Sequence, residues 1–108
     1  MTLFRPTDER DLAGFVREAA ALGEPMAICG GGTKHGIGAP VAAPRRVSLT
    51  GLSGVVAYEP AEMVATFRAG TRLADVEALL AGKGQRLAFE PPDFRALLGA
   101  DGEPTIGA

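Results

Sequence analysis

The run Gly30-Gly-Gly-Thr-Lys-His-Gly-Ile-Gly38 is the stretch of this sequence whose residue types and spacing suit chemistry. Glycines take positive φ angles at little cost, so successive backbone N–H groups can turn toward one concavity. Such a nest holds phosphate oxygens without side-chain charge, each hydrogen bond to a charged group being worth about 1.5–3 kcal/mol. Thr33 adds a hydroxyl donor and Lys34 a positive charge nearby. Two common phosphate loops are excluded. A dinucleotide loop G-x-G-x-x-G counted from Gly30 and Gly32 ends on His35, and a P-loop counted from Gly31 and Gly36 continues into Ile37-Gly38 instead of Lys-Ser/Thr. The plain alternative is a tight connection between strands, which explains one or two glycines more simply than three. On chemistry alone both readings stand.

No second constellation competes with this loop. Asp8 and Glu9 suit a helix start, and Asp75 and Glu77 fall on the polar face of an expected helix, so none forms an acid–base pair. No Cys, His or carboxylate cluster has metal-ligand spacing. Tyr58 and Phe67 read as sheet residues, and no residue reads as catalytic. The single cysteine, Cys29, reads as a buried thiol in a reducing cytoplasm.

The elements that must position the loop follow from periodicity and punctuation. Thr7 is placed to cap a helix carrying Asp8 and Glu9 in its first turn, with Leu12, Phe15, Val16, Ala19 and Leu22 on one face. Gly23 and Pro25 end it. Met26-Ala-Ile-Cys29 is a short strand running straight into the glycines, and Arg46-Val-Ser-Leu49 a second, after a breaker-rich loop from Thr33 to Pro44. Val55–Tyr58 and Met63–Arg68 form a hairpin around Glu59-Pro-Ala-Glu62. Thr71 caps a second helix with Leu73, Val76, Leu79 and Leu80 as its apolar side, ended by Gly82 and Gly84. Leu87-Ala-Phe89 offers a last strand before Glu90-Pro-Pro92, and residues 93–108 read as loop. Strand and helix do not alternate regularly, so the expected class is α+β: a small mixed sheet with two helices.

The bulk composition agrees with one small domain. The chain has 108 residues, 46% apolar and 22% charged, and a formal net charge of -2. Lys and Arg are mixed with Asp and Glu, with no basic stripe, which excludes a nucleic-acid surface. No stretch is long and apolar enough to span a membrane, and no signal peptide is present, so a cytoplasmic location is expected.

Four of these stretches, taken in order, resemble the FAD-linked oxidases of the vanillyl-alcohol oxidase and p-cresol methylhydroxylase type, among them the FAD-binding subunits of bacterial glycolate oxidase. They are the strand leading into Gly30-Gly-Gly-Thr-Lys34, the run Tyr58-Glu-Pro-Ala-Glu-Met-Val-Ala-Thr-Phe-Arg-Ala-Gly-Thr-Arg-Leu73, the run Gly84-Gln-Arg-Leu-Ala-Phe-Glu-Pro-Pro92, and Thr105-Ile-Gly107. The resemblance covers about Pro6 to Ala108 and implies a PCMH-type domain in which two α+β subdomains hold FAD between them. This chain would supply the first, residues 93–108 leading toward a missing second. Gly30, Gly31, Gly32, Thr33, Lys34 and His35 would meet the FAD pyrophosphate. Pro92 with Thr105, Ile106, Gly107 and Ala108 would lie beside the flavin or the rest of the cofactor. The sequence departs from the family pattern at Ala108, where a second glycine is usual, and at Lys34-His35, where a small residue is usual. In some relatives a loop histidine directly after two glycines is bonded to the flavin. That place here is Gly32 or Thr33, so His35 is read as solvated or loosely hydrogen-bonded. The implied activity is oxidation of a small 2-hydroxy acid, glycolate first, with flavin and iron–sulfur subunits as partners. The alternative is a non-catalytic subdomain that packs on a partner and binds at most a small anion.

Overall fold

The structure, a computed structural model, describes residues 2–107. Two small sheets are present among them. Strands β1 (Thr2–Phe4), β2 (Met26–Cys29) and β3 (Arg45–Ser48) form a parallel sheet in the order β1-β3-β2. Strands β4 (Val55–Glu59) and β5 (Val64–Phe67) form an antiparallel hairpin. Helix α1 (Glu9–Leu22) links β1 to β2, and α2 (Leu73–Ala81) follows the hairpin. The expected α+β class holds, with two sheets in place of one mixed sheet. β1 carries no turn signals of its own and was not foreseen from the sequence.

Helix α1 begins one residue later than the sequence suggests. Asp8, not Thr7, is the cap, its carboxylate accepting the Asp11 amide at 2.8 Å. A carboxylate at this position satisfies a free N–H and meets the positive end of the helix dipole together. At the other end Gly23 is left-handed, φ 64°, and the Glu24 amide returns to the Ala19 carbonyl at 2.9 Å, closing a Schellman-type end. Ala19 is buried, and Phe15 stacks on Phe4 with ring centroids 4.7 Å apart. Arg45 of β3 lies over the Phe15 ring at 5.4 Å and pairs with Glu24 and Glu18. The helix is thereby fastened to the central strand, where Val47 is fully buried.

Three more expectations are corrected. Thr71 does not cap α2: its hydroxyl accepts the Gly54 amide at 2.9 Å and donates to the Arg68 carbonyl at 2.7 Å, bracing the hairpin base. Arg72 holds the cap position without a side-chain capping bond, its guanidinium pairing with Asp75 instead, and the Leu73 amide is satisfied by the Pro104 carbonyl at 2.9 Å. Residues 87–89 form no strand. The chain before them is tied to the hairpin turn by side-chain bonds instead, Gln85 Nε2 donating to the Pro60 carbonyl at 2.8 Å and Tyr58 donating to Gln85 Oε1. Finally, residues 93–107 are not all loop, since Arg95–Leu98 form a single helical turn, α3. Thr105 also bridges to Arg72.

Candidate cofactor-binding site

Strand β2 delivers the chain into the glycine loop because its partner β3 fixes its last residue: Cys29 is paired with Ser48. Ser48 then bonds the Gly30 carbonyl at 3.3 Å, so the first glycine is held from the neighbouring strand. Gly32 is left-handed, φ 77°, the kind of turn that lets flanking amides converge. Thr33 is buried, and the Ile37 amide closes the following turn on the Lys34 carbonyl at 3.2 Å. A small cavity of about 100 Å³ results, lined by Gly30, Gly32, Thr33, Lys34 and His35 with Ile28 and Cys29.

Gly31 faces elsewhere. It lines a separate cavity of about 350 Å³ with Glu103, Thr105 and Arg72. A Cβ built on Gly31 would stand 1.8 Å from the Glu103 carbonyl oxygen, so close approach by this chain's own backbone already requires a glycine there. The three glycines therefore have different reasons. Only Gly30 and Gly32 face the small cavity.

The second group of expected site residues is assembled from distant parts of the chain. Lys34, Pro92, Thr105, Ile106 and Gly107 line one cavity of about 260 Å³, together with Leu73, Phe89 and Pro91. Residues 104–107 are placed there by three backbone bonds: Pro104 to Leu73, Ile106 to Thr71 and Gly107 to Ala69, each 2.9 Å. Lys34 lines both this cavity and the small one, which makes it the junction between loop and closing segment. Ala108 lies outside the described residues. Phe89 and Ile106 also line a larger cavity of about 570 Å³ against the hairpin, with Tyr58 and Phe67.

Two features at this site escaped the sequence reading. Arg46 on β3 donates to His35 Nε2 at 2.9 Å. Guanidinium is donor-only, so this imidazole nitrogen accepts, and His35 is exposed at the surface. A strand residue one position from a charged neighbour carries no signal for such a contact. The second is the Asp93–Arg95 pair, whose carboxylate also feels the charge of Lys34. The Arg95 guanidinium and then its amide hydrogen-bond the Asp93 carboxylate, which holds its pKa down to about 2. Arg95 also reaches the Gly102 carbonyl at 3.5 Å. Cys29 is only half-buried, its thiol donating to the Val47 carbonyl at 3.5 Å.

The donor set suits a pyrophosphate flanked by less polar groups: glycine backbone, a threonine and a lysine at one cavity, prolines, Phe89 and Ile106 at the next. A family model described as an FAD binding domain matches residues 2–100. The chain belongs to this family. FAD is accordingly the cofactor of the domain. The FAD domain is also 37% identical over 79 residues to the glycolate oxidase subunit GlcE of Escherichia coli (strain K12), a match covering 73% of this chain and 22% of that protein. Among the described residues no helix is long and apolar enough to cross a membrane.

Proposed function

We propose that this chain forms the pyrophosphate-binding wall of a flavin-dependent oxidoreductase that oxidises a small 2-hydroxy acid, glycolate being the first candidate. The observation that carries the reading is the junction at Lys34, which joins the glycine-loop cavity to the cavity of Pro92, Thr105, Ile106 and Gly107. Likeness to GlcE, a glycolate oxidase subunit, supports the substrate class and a setting with other oxidase subunits; on this reading those include flavin and iron–sulfur subunits in the cytoplasm.

FAD, when bound, supplies acceptance of two electrons from the substrate. The residues of this chain bind and orient. Gly30, Gly32 and Thr33 would offer backbone and hydroxyl donors to the phosphate oxygens, and Lys34 would neutralise their charge. Gly31 would act indirectly, by admitting the Glu103 backbone. Thr105, Ile106 and Gly107, with Pro92, would exclude water beside the less polar part of the cofactor. A proton acceptor for the substrate hydroxyl would have to come from outside these residues.

The test is reconstitution of the full-length protein with FAD, followed by anaerobic addition of glycolate, lactate or a control acid without the hydroxyl. Bleaching of the flavin absorbance by the hydroxy acids alone is the expected result. Tight FAD binding with no bleaching by any 2-hydroxy acid would remove the substrate class and leave the cofactor. Failure to take up FAD would favour the non-catalytic module that binds a small anion.

A further inference from the structure

The glycine loop and the closing segment meet backbone to backbone, and the contact is reciprocal. A Cβ on Gly31 would stand 1.8 Å from the Glu103 carbonyl oxygen, and a Cβ on Gly102 would stand 1.9 Å from the Gly31 carbonyl oxygen. Both obstacles are main-chain atoms, so neither can be relieved by rotating a side chain. Gly102 has a further neighbour in Thr33, whose methyl carbon lies 3.5 Å from the same built position. The segment that carries Gly102 continues into Pro104, Ile106 and Gly107, whose backbone is bonded to Leu73, Thr71 and Ala69. The loop that opens on the small cavity is thus pressed against a strap whose other edge is sewn to the start of α2.

From this contact we infer that Gly102 is a positioning residue for FAD, acting through Gly31 and Thr33 without touching the cofactor. The inference rests on the reading of Gly30–His35 as the pyrophosphate loop. Its physical content is that the loop and residues 102–107 move as one part. The walls of the two cavities that meet at Lys34 then keep a fixed spacing, and a ligand spanning both pays no ordering cost there. A methyl at residue 102 drives the strap away from the loop and removes that spacing without deleting any candidate ligand-binding side chain.

The experiment compares Gly102→Ala with Gly99→Ala in the full-length protein. Gly99 is left-handed, φ 64°, with nothing within 4 Å of a built Cβ, so its alanine variant carries backbone strain without any clash. Both variants are expected to melt lower as apoproteins. Only Gly102→Ala is expected to lose FAD affinity, by about tenfold or more in flavin-fluorescence titration, with a changed visible circular dichroism band of the bound flavin; Gly99→Ala should stay within about threefold. Equal FAD affinity in Gly102→Ala and wild type overturns the inference, as does an equal loss in both variants. Hydrogen exchange on the wild-type apoprotein keeps the test open if Gly102→Ala does not fold. The hydrogen-bonded amides of Ile37 on the loop and of Leu73, Ile106 and Gly107 along the strap should then exchange in one cooperative step, and separate steps would overturn the inference. That measurement needs no cofactor, so a protein that binds no FAD defeats the pyrophosphate reading and leaves the coupling of loop and strap to be judged by exchange.

Discussion

The parallel sheet and the hairpin are made of strands of similar length, yet the parallel sheet buries an apolar side chain completely on its central strand, with Leu3 and Ile28 exposed on its outer strands, and the hairpin buries none. In the parallel sheet β3 is central, Val47 is 0% exposed, and α1 is fastened across it through Phe15 and Arg45. In the hairpin Val55, Val56 and Val64 are each more than half exposed, and Met63 is 84% exposed. Two strands alone make a marginal sheet in water. This one is held by local ties: Thr71 to Gly54 and Arg68, Gln85 to Pro60, Tyr58 to Gln85. The difference shows where precision is built into the chain. The glycine loop leaves the packed sheet, with Ser48 of the buried strand gripping its first carbonyl.

A matched pair of charge substitutions breaks this comparison most severely. Val47→Asp places a carboxylate at a fully buried position and is expected to cost more than about 4 kcal/mol, enough to unfold a marginal domain. Val56→Asp, at 62% exposure, should change stability by no more than about 0.5 kcal/mol. Urea unfolding of both variants measures the contrast. Similar losses would mean that the hairpin is packed in solution as tightly as the parallel sheet.

Lys34→Met separates the site from the packing that supports it. Lys34 is half-buried and has no part in the core, so apoprotein stability should be nearly unchanged. Removing a charged donor from a phosphate site should weaken FAD binding in the full-length protein by roughly tenfold or more, consistent with about 1.5–3 kcal/mol per charged hydrogen bond. The salt dependence of binding should fall with it. Affinity and salt slope both unchanged in a titration would take Lys34 out of the phosphate site.

Much of the fold was legible because it was written locally. Helical spacing gave α1 and α2, Gly23 gave the end of α1, and the alternating runs around Pro60 gave the hairpin. What the sequence could not show was partnership at a distance. Thr71 has the type of a helix cap but a better partner in Gly54, and the α2 amide it would have served is met by Pro104. Leu87–Phe89 has strand-like residues but pairs with no strand, and the residue two before it, Gln85, is tied to the hairpin turn through its side chain. At the candidate site the glycine run was visible, but the reason for Gly31 was not. The Glu103 backbone is 72 positions away along the chain (103 − 31), and no local pattern announces that approach.

The acid limb gives a smaller effect. Asp93 is held at a pKa of about 2 by hydrogen bonds from the Arg95 guanidinium and amide, against an ordinary value of 3.8. A lowered folded-state pKa means that the pair's contribution is complete above about pH 4 and is lost as the pH falls through about 2. The pair's contribution should therefore be constant between pH 7 and pH 5. Asp93→Asn should narrow the difference between wild type and variant only below pH 4, in melts recorded from pH 6 to pH 2. A convergence already complete at pH 5 would show that the carboxylate is not held low.

The smallest effect sits at Met63, where the hairpin carries strain as well as exposure. Met63 follows the turn of residues 60–62 with φ 57°, the only non-glycine residue at positive φ among the described residues. A side chain there costs about 1–2 kcal/mol in backbone sterics, and burial returns little at 84% exposure. Met63→Gly should thus stabilise the chain by about 0.5–1 kcal/mol, the flexibility of glycine in the unfolded state offsetting part of the relief. Thermal melts of Met63→Gly and wild type sharpen the comparison between the two sheets. A gain would mean that the hairpin's apolar edge stays open in solution, with the strain at Met63 unrepaid by burial. A loss of stability would mean that Met63 is covered in solution, and that the hairpin is packed on its exposed side as the parallel sheet is packed under α1.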